Sequence, residues 1–74
     1  MTKLPVISAK VFVAALGKIG YEIDHQTGSH IILRQDEEPH RRLSVPNHKE
    51  LAKGTLKKLL TAVGLTVEEL IDIL

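Results

Sequence analysis

The sequence predicts an α+β domain of two layers, with helices covering one face of a three-stranded antiparallel sheet. Three observations carry that expectation. An apolar stripe of helical period occupies residues 9–19, three short segments between residues 21 and 46 alternate apolar with polar side chains, and two amphipathic stretches follow residue 53. The predicted order is α-β-β-β-α(-α), with no internal repeat and no low-complexity segment.

Ser8 is a suitable N-cap, and Val11, Phe12, Ala15, Leu16 and Ile19 fall on one helical face, so a first helix is expected from Ala9 to Ile19. Gly20 lies where a left-handed cap belongs. Tyr21-Glu22-Ile23-Asp24-His25, Ser29 to Gln35, and Arg41 to Pro46 read as strands, the last two separated by the polar turn Asp36–His40. Asn47 to Lys53 is a polar connection. Leu56, Leu59, Leu60 and Val63 then give an amphipathic helix that Gly64 ends. Thr66 and Glu69 form a capping box for a last helix carrying Val67, Leu70, Ile71 and Leu74.

The first hairpin admits two registers. A two-residue Thr27-Gly28 turn pairs His25 with His30 and Ile23 with Ile32, whereas a three-residue Gln26–Gly28 loop pairs Asp24 with His30 and Ile23 with Ile31. With an Asp36–His40 loop, Leu43 opposes Leu33 and Val45 opposes Ile31. Only the three-residue loop then gives an apolar inward set of Tyr21, Ile23, Ile31, Leu33, Leu43 and Val45, with Gly28 left-handed. The outward set becomes Glu22, Asp24, His30, Ile32, Arg34, Arg42 and Ser44. Arg34 and Arg42 face each other, which is unfavourable unless an anion or carboxylate sits between them. Asp24 beside His30 would raise the pKa of that histidine and hold one tautomer.

The 74 residues are expected to form one domain, 1–74, near the lower size limit for an independent core. There is no cysteine, which removes disulfide frameworks and zinc–thiolate sites from consideration. No apolar run approaches the roughly 18 residues of a membrane span. Pro5 and Ser8 interrupt any signal-like stretch after Lys3, so the expected location is the cytoplasm. A net charge of +1 does not by itself mark a nucleic-acid binder. The distribution says more: Arg41, Arg42, Lys49, Lys53, Lys57 and Lys58 oppose Glu50 alone, while Glu68, Glu69 and Asp72 make the end acidic.

The segment Gly28-Ser29-His30, opening the apolar strand Ile31-Ile32-Leu33, holds the best candidate for chemistry. An imidazole titrating near pH ~6.5 can take the proton of a ribose 2′-hydroxyl or protonate the departing oxygen. That reaction needs proton transfer and donors for the phosphate oxygens, not a metal or cofactor. The residues expected to contact substrate around catalytic His30 are Gly28, Ser29, Arg34, Arg42, His48, Lys53 and Lys57. No histidine spacing among His25, His30, His40 and His48 matches a metal motif, so no metal ligand is assigned. The bland readings are a surface histidine at a strand start, a solvated helix face for the lysines, and a plain turn at Pro46-Asn47-His48.

The chain resembles the HicA-type mRNA interferase toxins. The matching pieces are Gly17-Lys18-Ile19-Gly20-Tyr21, Gly28-Ser29-His30, Val45-Pro46-Asn47-His48-Lys49-Glu50-Leu51, Lys53-Gly54-Thr55-Leu56 and Gly64-Leu65-Thr66-Val67-Glu68-Glu69, in that order. The resemblance implies a double-stranded-RNA-binding-domain-like fold. It also implies ribosome-independent cleavage of mRNA by a single catalytic histidine, here His30, and neutralisation by a HicB-type antitoxin in a hetero-oligomer. The acidic Asp36–His40 turn departs from the Asp-Gly type of turn expected in that family. Two other readings compete. One is a non-catalytic module binding structured RNA through the lysines of the second helix. The other is an interaction protein whose basic surface docks an acidic antitoxin.

Overall fold

The structure, a computed structural model, describes residues 3–74; Met1 and Thr2, included in the expected domain, lie outside the described residues. Its elements are α1 (Ala9–Gly17), β1 (Tyr21–Gln26), β2 (His30–Gln35), β3 (Arg42–Pro46), α2 (Lys53–Val63) and α3 (Val67–Ile73). The strands form an antiparallel meander in the order β1-β2-β3. Helix α1 lies against β1 and β3, α2 against β3, and α3 against α1. The fold is therefore the expected α+β arrangement.

Local chemistry sets the helix ends. The Ser8 hydroxyl accepts from the Val11 N–H at 3.1 Å, supplying one of the partners that a helix start lacks. α1 stops at Gly17 rather than Ile19 because Lys18 and Ile19 donate to Ala15 and Leu16 in a tighter final turn. Gly20 follows at φ +95°. Ala9, Phe12, Ala15 and Leu16 form the buried stripe, while Val11 and Ile19, expected to share it, are exposed. α2 ends at Gly64, whose φ of +77° lets its N–H reach Leu60 and Thr61 while the Leu65 N–H reaches Leu60. The capping box at α3 forms: the Thr66 N–H donates to Glu69 Oε1 at 2.9 Å and the Glu69 N–H to Thr66 Oγ1 at 3.1 Å.

The β2–β3 register is the expected one, with Ile31 opposite Val45, Leu33 opposite Leu43, and Arg34 opposite Arg42. Two apolar pairs must share one buried face, and any one-residue slip would turn both outward. The first hairpin differs from both expected registers. Ile23 pairs with Leu33 rather than Ile31 or Ile32, a bulge interrupts the ladder at Asp24, and His25 and Gln26 then pair with Ile32 and Ile31. The turn closes over Gly28-Ser29, with the Thr27 N–H donating to the His30 carbonyl at 2.9 Å and the His30 N–H to Thr27 Oγ1 at 3.0 Å. Gly28 is not left-handed; Gly20 and Gly64 are the glycines at positive φ. Ile23 keeps the inward face but remains 53% exposed, because the helices leave this part of the edge strand uncovered.

These glycines make a stability prediction. A Cβ on Gly28 meets open space at an ordinary φ, whereas one on Gly64 must sit at φ +77°. Gly28→Ala should therefore be neutral or stabilise by up to about 1 kcal/mol, through the unfolded chain. Gly64→Ala should cost about 1–2 kcal/mol. Thermal melts check this; equal melting temperatures for the two variants would contradict the assigned conformations.

Candidate active site

One face of the sheet is packed and the other is open. Ile31, Leu33, Leu43 and Val45 are buried towards the helices, so their alternates His30, Ile32, Arg34, Arg42, Ser44 and Pro46 point to the opposite, uncovered face. His30 opens the central strand on that face and is exposed. Its Nδ1 lies 3.0 Å from Ser29 Oγ, and its backbone is tied at both ends by Thr27. This leaves the imidazole Nε2 available for proton transfer. The side chain is thus held from below without being enclosed.

The hydrogen-bonding pattern brings a second segment beside it. His30 pairs with Pro46, the Asn47 N–H donates to the Ser29 carbonyl at 2.9 Å, and the His48 carbonyl accepts from the Ala9 N–H at 3.0 Å. The start of α1, the end of β3 and the Gly28-Ser29 turn are therefore neighbours. Ser8, Lys10, Asn47, His48 and Lys49 line a depression of about 390 Å³ there. His48 was expected from the sequence. Asn47 and Lys49 flank it in the chain, as part of a turn and of the basic run. Lys10 was not expected, since only the link from Ala9 to His48 brings the first helix to this end of the sheet.

The expected arginines lie further along the same face. Arg34 opposes Arg42, and the carboxylate predicted to relieve that pair comes from the chain itself: Arg42 Nε is 3.5 Å from Asp24 Oδ2. The same oxygen is 2.9 Å from His25 Nδ1. Asp24 therefore accompanies His25 and Arg42, not His30 as the three-residue loop had implied. The register causes the difference: Ile23 pairs with Leu33, two residues beyond Ile31, so Asp24 falls at the bulge beside Ile32 rather than opposite His30. The hydrogen bond from His25 holds the Asp24 carboxyl below its ordinary value of 3.8, helped by Arg42 and Arg34 and opposed by desolvation. Its stabilising contribution is thus present above pH 3.8 and is lost as pH falls through the lower folded value.

Lys53 and Lys57 stand elsewhere. They line a larger depression, about 790 Å³, together with Lys3, Leu4, Val6, Val67 and Glu68. The basic run at residues 41–58 is therefore not one patch: Arg42 belongs to the open sheet face, and these lysines belong to the helical layer. Among the described residues no helix is long and apolar enough to cross a membrane.

The site is thus a small open sheet face that displays a histidine at one end and two arginines further along. Residues 9–65 match the family model described as the HicA toxin of bacterial toxin–antitoxin, so the chain belongs to the HicA toxin family. No curated protein and no solved structure matches it. The protein is accordingly a toxin of a toxin–antitoxin system, and its counterpart is an antitoxin.

Proposed function

We propose that the protein is an endoribonuclease that cuts mRNA without the ribosome and without a metal, using His30 in proton transfer. The observation that carries this reading is the placement of His30: exposed on the uncovered sheet face, with Nδ1 3.0 Å from Ser29 Oγ and the Asn47 N–H bonded to the Ser29 carbonyl beside it. The ribose 2′-hydroxyl attacks the adjacent phosphorus, its proton passes to a base, and the 5′-oxygen leaves with a proton from an acid. Gly28 allows the RNA backbone close approach at the turn, and the Ser29 hydroxyl orients His30 and reaches a phosphate oxygen. Arg34, Arg42 and His48 hold neighbouring phosphates, joined by Lys10 and Lys49. Lys53 and Lys57 contact RNA phosphates away from the cleaved bond.

A HicB-type antitoxin neutralises the toxin in a hetero-oligomer by occupying the open face, which RNA needs as well. The protein acts in the cytoplasm, where mRNA is found.

The test compares wild type with His30→Ala on a labelled mRNA in EDTA, without ribosomes. The expected result is cleavage by the wild type only. Equal cleavage by both would remove His30 from the mechanism. RNA binding without cleavage by either would replace the nuclease reading with that of a binding module.

A further inference from the structure

In-line transfer at phosphorus sets a geometric requirement that one imidazole does not meet. The attacking 2′-oxygen and the departing 5′-oxygen lie on opposite sides of the phosphorus. A base at one and an acid at the other must each come within about 2.6–3.2 Å of its oxygen. The open face of the sheet carries a second imidazole suited to this task.

His25 reaches that face because of the bulge. Ile23 pairs with inward-facing Leu33, and strict alternation would turn His25 inward as well; after the bulge at Asp24, His25 pairs with outward-facing Ile32. His30 stands two residues before Ile32 on the neighbouring strand, so His25 and His30 occupy diagonal positions on one face. Diagonal positions of an antiparallel pair are about 7–8 Å apart. That separation suits two hydrogen bonds with a phosphate between them.

The chemistry of the two imidazoles differs. Asp24 is an ionised carboxylate and only accepts hydrogen bonds, so its contact at 2.9 Å requires a proton on His25 Nδ1. The neutral ring then presents Nε2 as a lone pair, and the carboxylate stabilises the imidazolium formed when that lone pair takes a proton. His30 has only the Ser29 hydroxyl at Nδ1, which accepts from a protonated ring as readily as it donates to a neutral one. The first arrangement is that of a base and the second permits an acid.

We propose that His25, oriented by Asp24, is a second catalytic residue of this site, accepting the 2′-hydroxyl proton while His30 protonates the leaving 5′-oxygen. The inference rests on the nuclease reading above. The O2′–P bond forms and the P–O5′ bond breaks, giving a 2′,3′-cyclic phosphate and a 5′-hydroxyl. One proton enters at His25 and one leaves from His30, so no further reactant is needed. Asp24 is a positioning residue that acts through His25.

The experiment uses an RNA oligonucleotide and its counterpart with sulfur in place of the bridging 5′-oxygen, a leaving group that departs without protonation. His25→Gln and His25→Ala should slow cleavage of both substrates at least about 100-fold. His30→Ala should lose activity on ordinary RNA and regain it on the sulfur substrate. Asp24→Asn should lower kcat on both substrates with KM unchanged, because an amide that can donate as well as accept no longer fixes the proton on His25 Nδ1. The other charged groups of that face, Glu22 on β1, His30 and Arg34 on β2 and Arg42 on β3, are unchanged in this variant. Wild-type rates for the His25 variants would overturn the role of His25, and recovery of those variants on the sulfur substrate would overturn its assignment as base. An unchanged kcat in Asp24→Asn, or a loss confined to KM, would overturn the positioning role. Failure of wild type to cut either substrate would instead overturn the nuclease reading itself.

Discussion

Replacing His30 with alanine should slow RNA cleavage by about 100- to 10,000-fold, the range for loss of a positioned general acid or base. The fold should be unaffected. The His30 side chain is exposed and contributes nothing to the buried cluster, and its ties to Thr27 run through the backbone. Cleavage rate and thermal melting measured on the same preparation separate the two effects. A large loss of rate at an unchanged melting temperature supports the chemical role. Parallel losses of both would make His30 a structural residue.

Phe12→Ala carries the largest expected effect on stability. Phe12 is the chain's one phenylalanine and is fully buried, with Leu16, Leu33, Leu56 and Leu70 among the other large enclosed side chains. Truncating a buried phenylalanine costs about 3–5 kcal/mol. A domain of this size has roughly 4–11 kcal/mol in total. The variant should therefore unfold at much lower urea concentration, and at the low end of that range it should lose its cooperative transition. A loss below about 1 kcal/mol would mean that the interior closes over the missing ring, contrary to the close packing expected of it.

The parts of this fold that sequence reveals are those fixed locally or by paired apolar side chains. Thr66 and Glu69 satisfy one another within a single turn, and Gly64 ends α2 through its own backbone. The β2–β3 register follows from the pairs Ile31–Val45 and Leu33–Leu43. β1 has only Tyr21 and Ile23 as apolar anchors, and a two-residue slip leaves Ile23 facing inward in either case. The polar remainder of the strand tolerates an added residue, so the bulge at Asp24 left no trace in the hydrophobic pattern.

The site divides in the same way. His30 was legible because the Gly28-Ser29 turn and the apolar run after it fix where a strand begins. The partnership of Asp24 was not, because it depends on the bulge and on an arginine from the far strand. The lysines show a second kind of difficulty. Lys53 and Lys57 follow Arg41 and Arg42 closely in the chain, yet lie in the helical layer, while Lys10 is brought to the His48 segment by a hydrogen bond from α1. A run of charge along the chain does not define a patch of charge on the surface.

A metal-independent attack by the 2′-hydroxyl on the open face of the sheet is written in the ends of the cut RNA. An oligonucleotide would be incubated with the purified protein in EDTA, without ribosomes, and both fragments analysed by mass. The expected ends are a 2′,3′-cyclic phosphate, or the monophosphate from its hydrolysis, on the upstream fragment and a 5′-hydroxyl on the downstream one. A single 2′-deoxy substitution at the cleaved position should abolish the cut. A 5′-phosphate on the downstream fragment, or undiminished cleavage at the deoxy position, would contradict it.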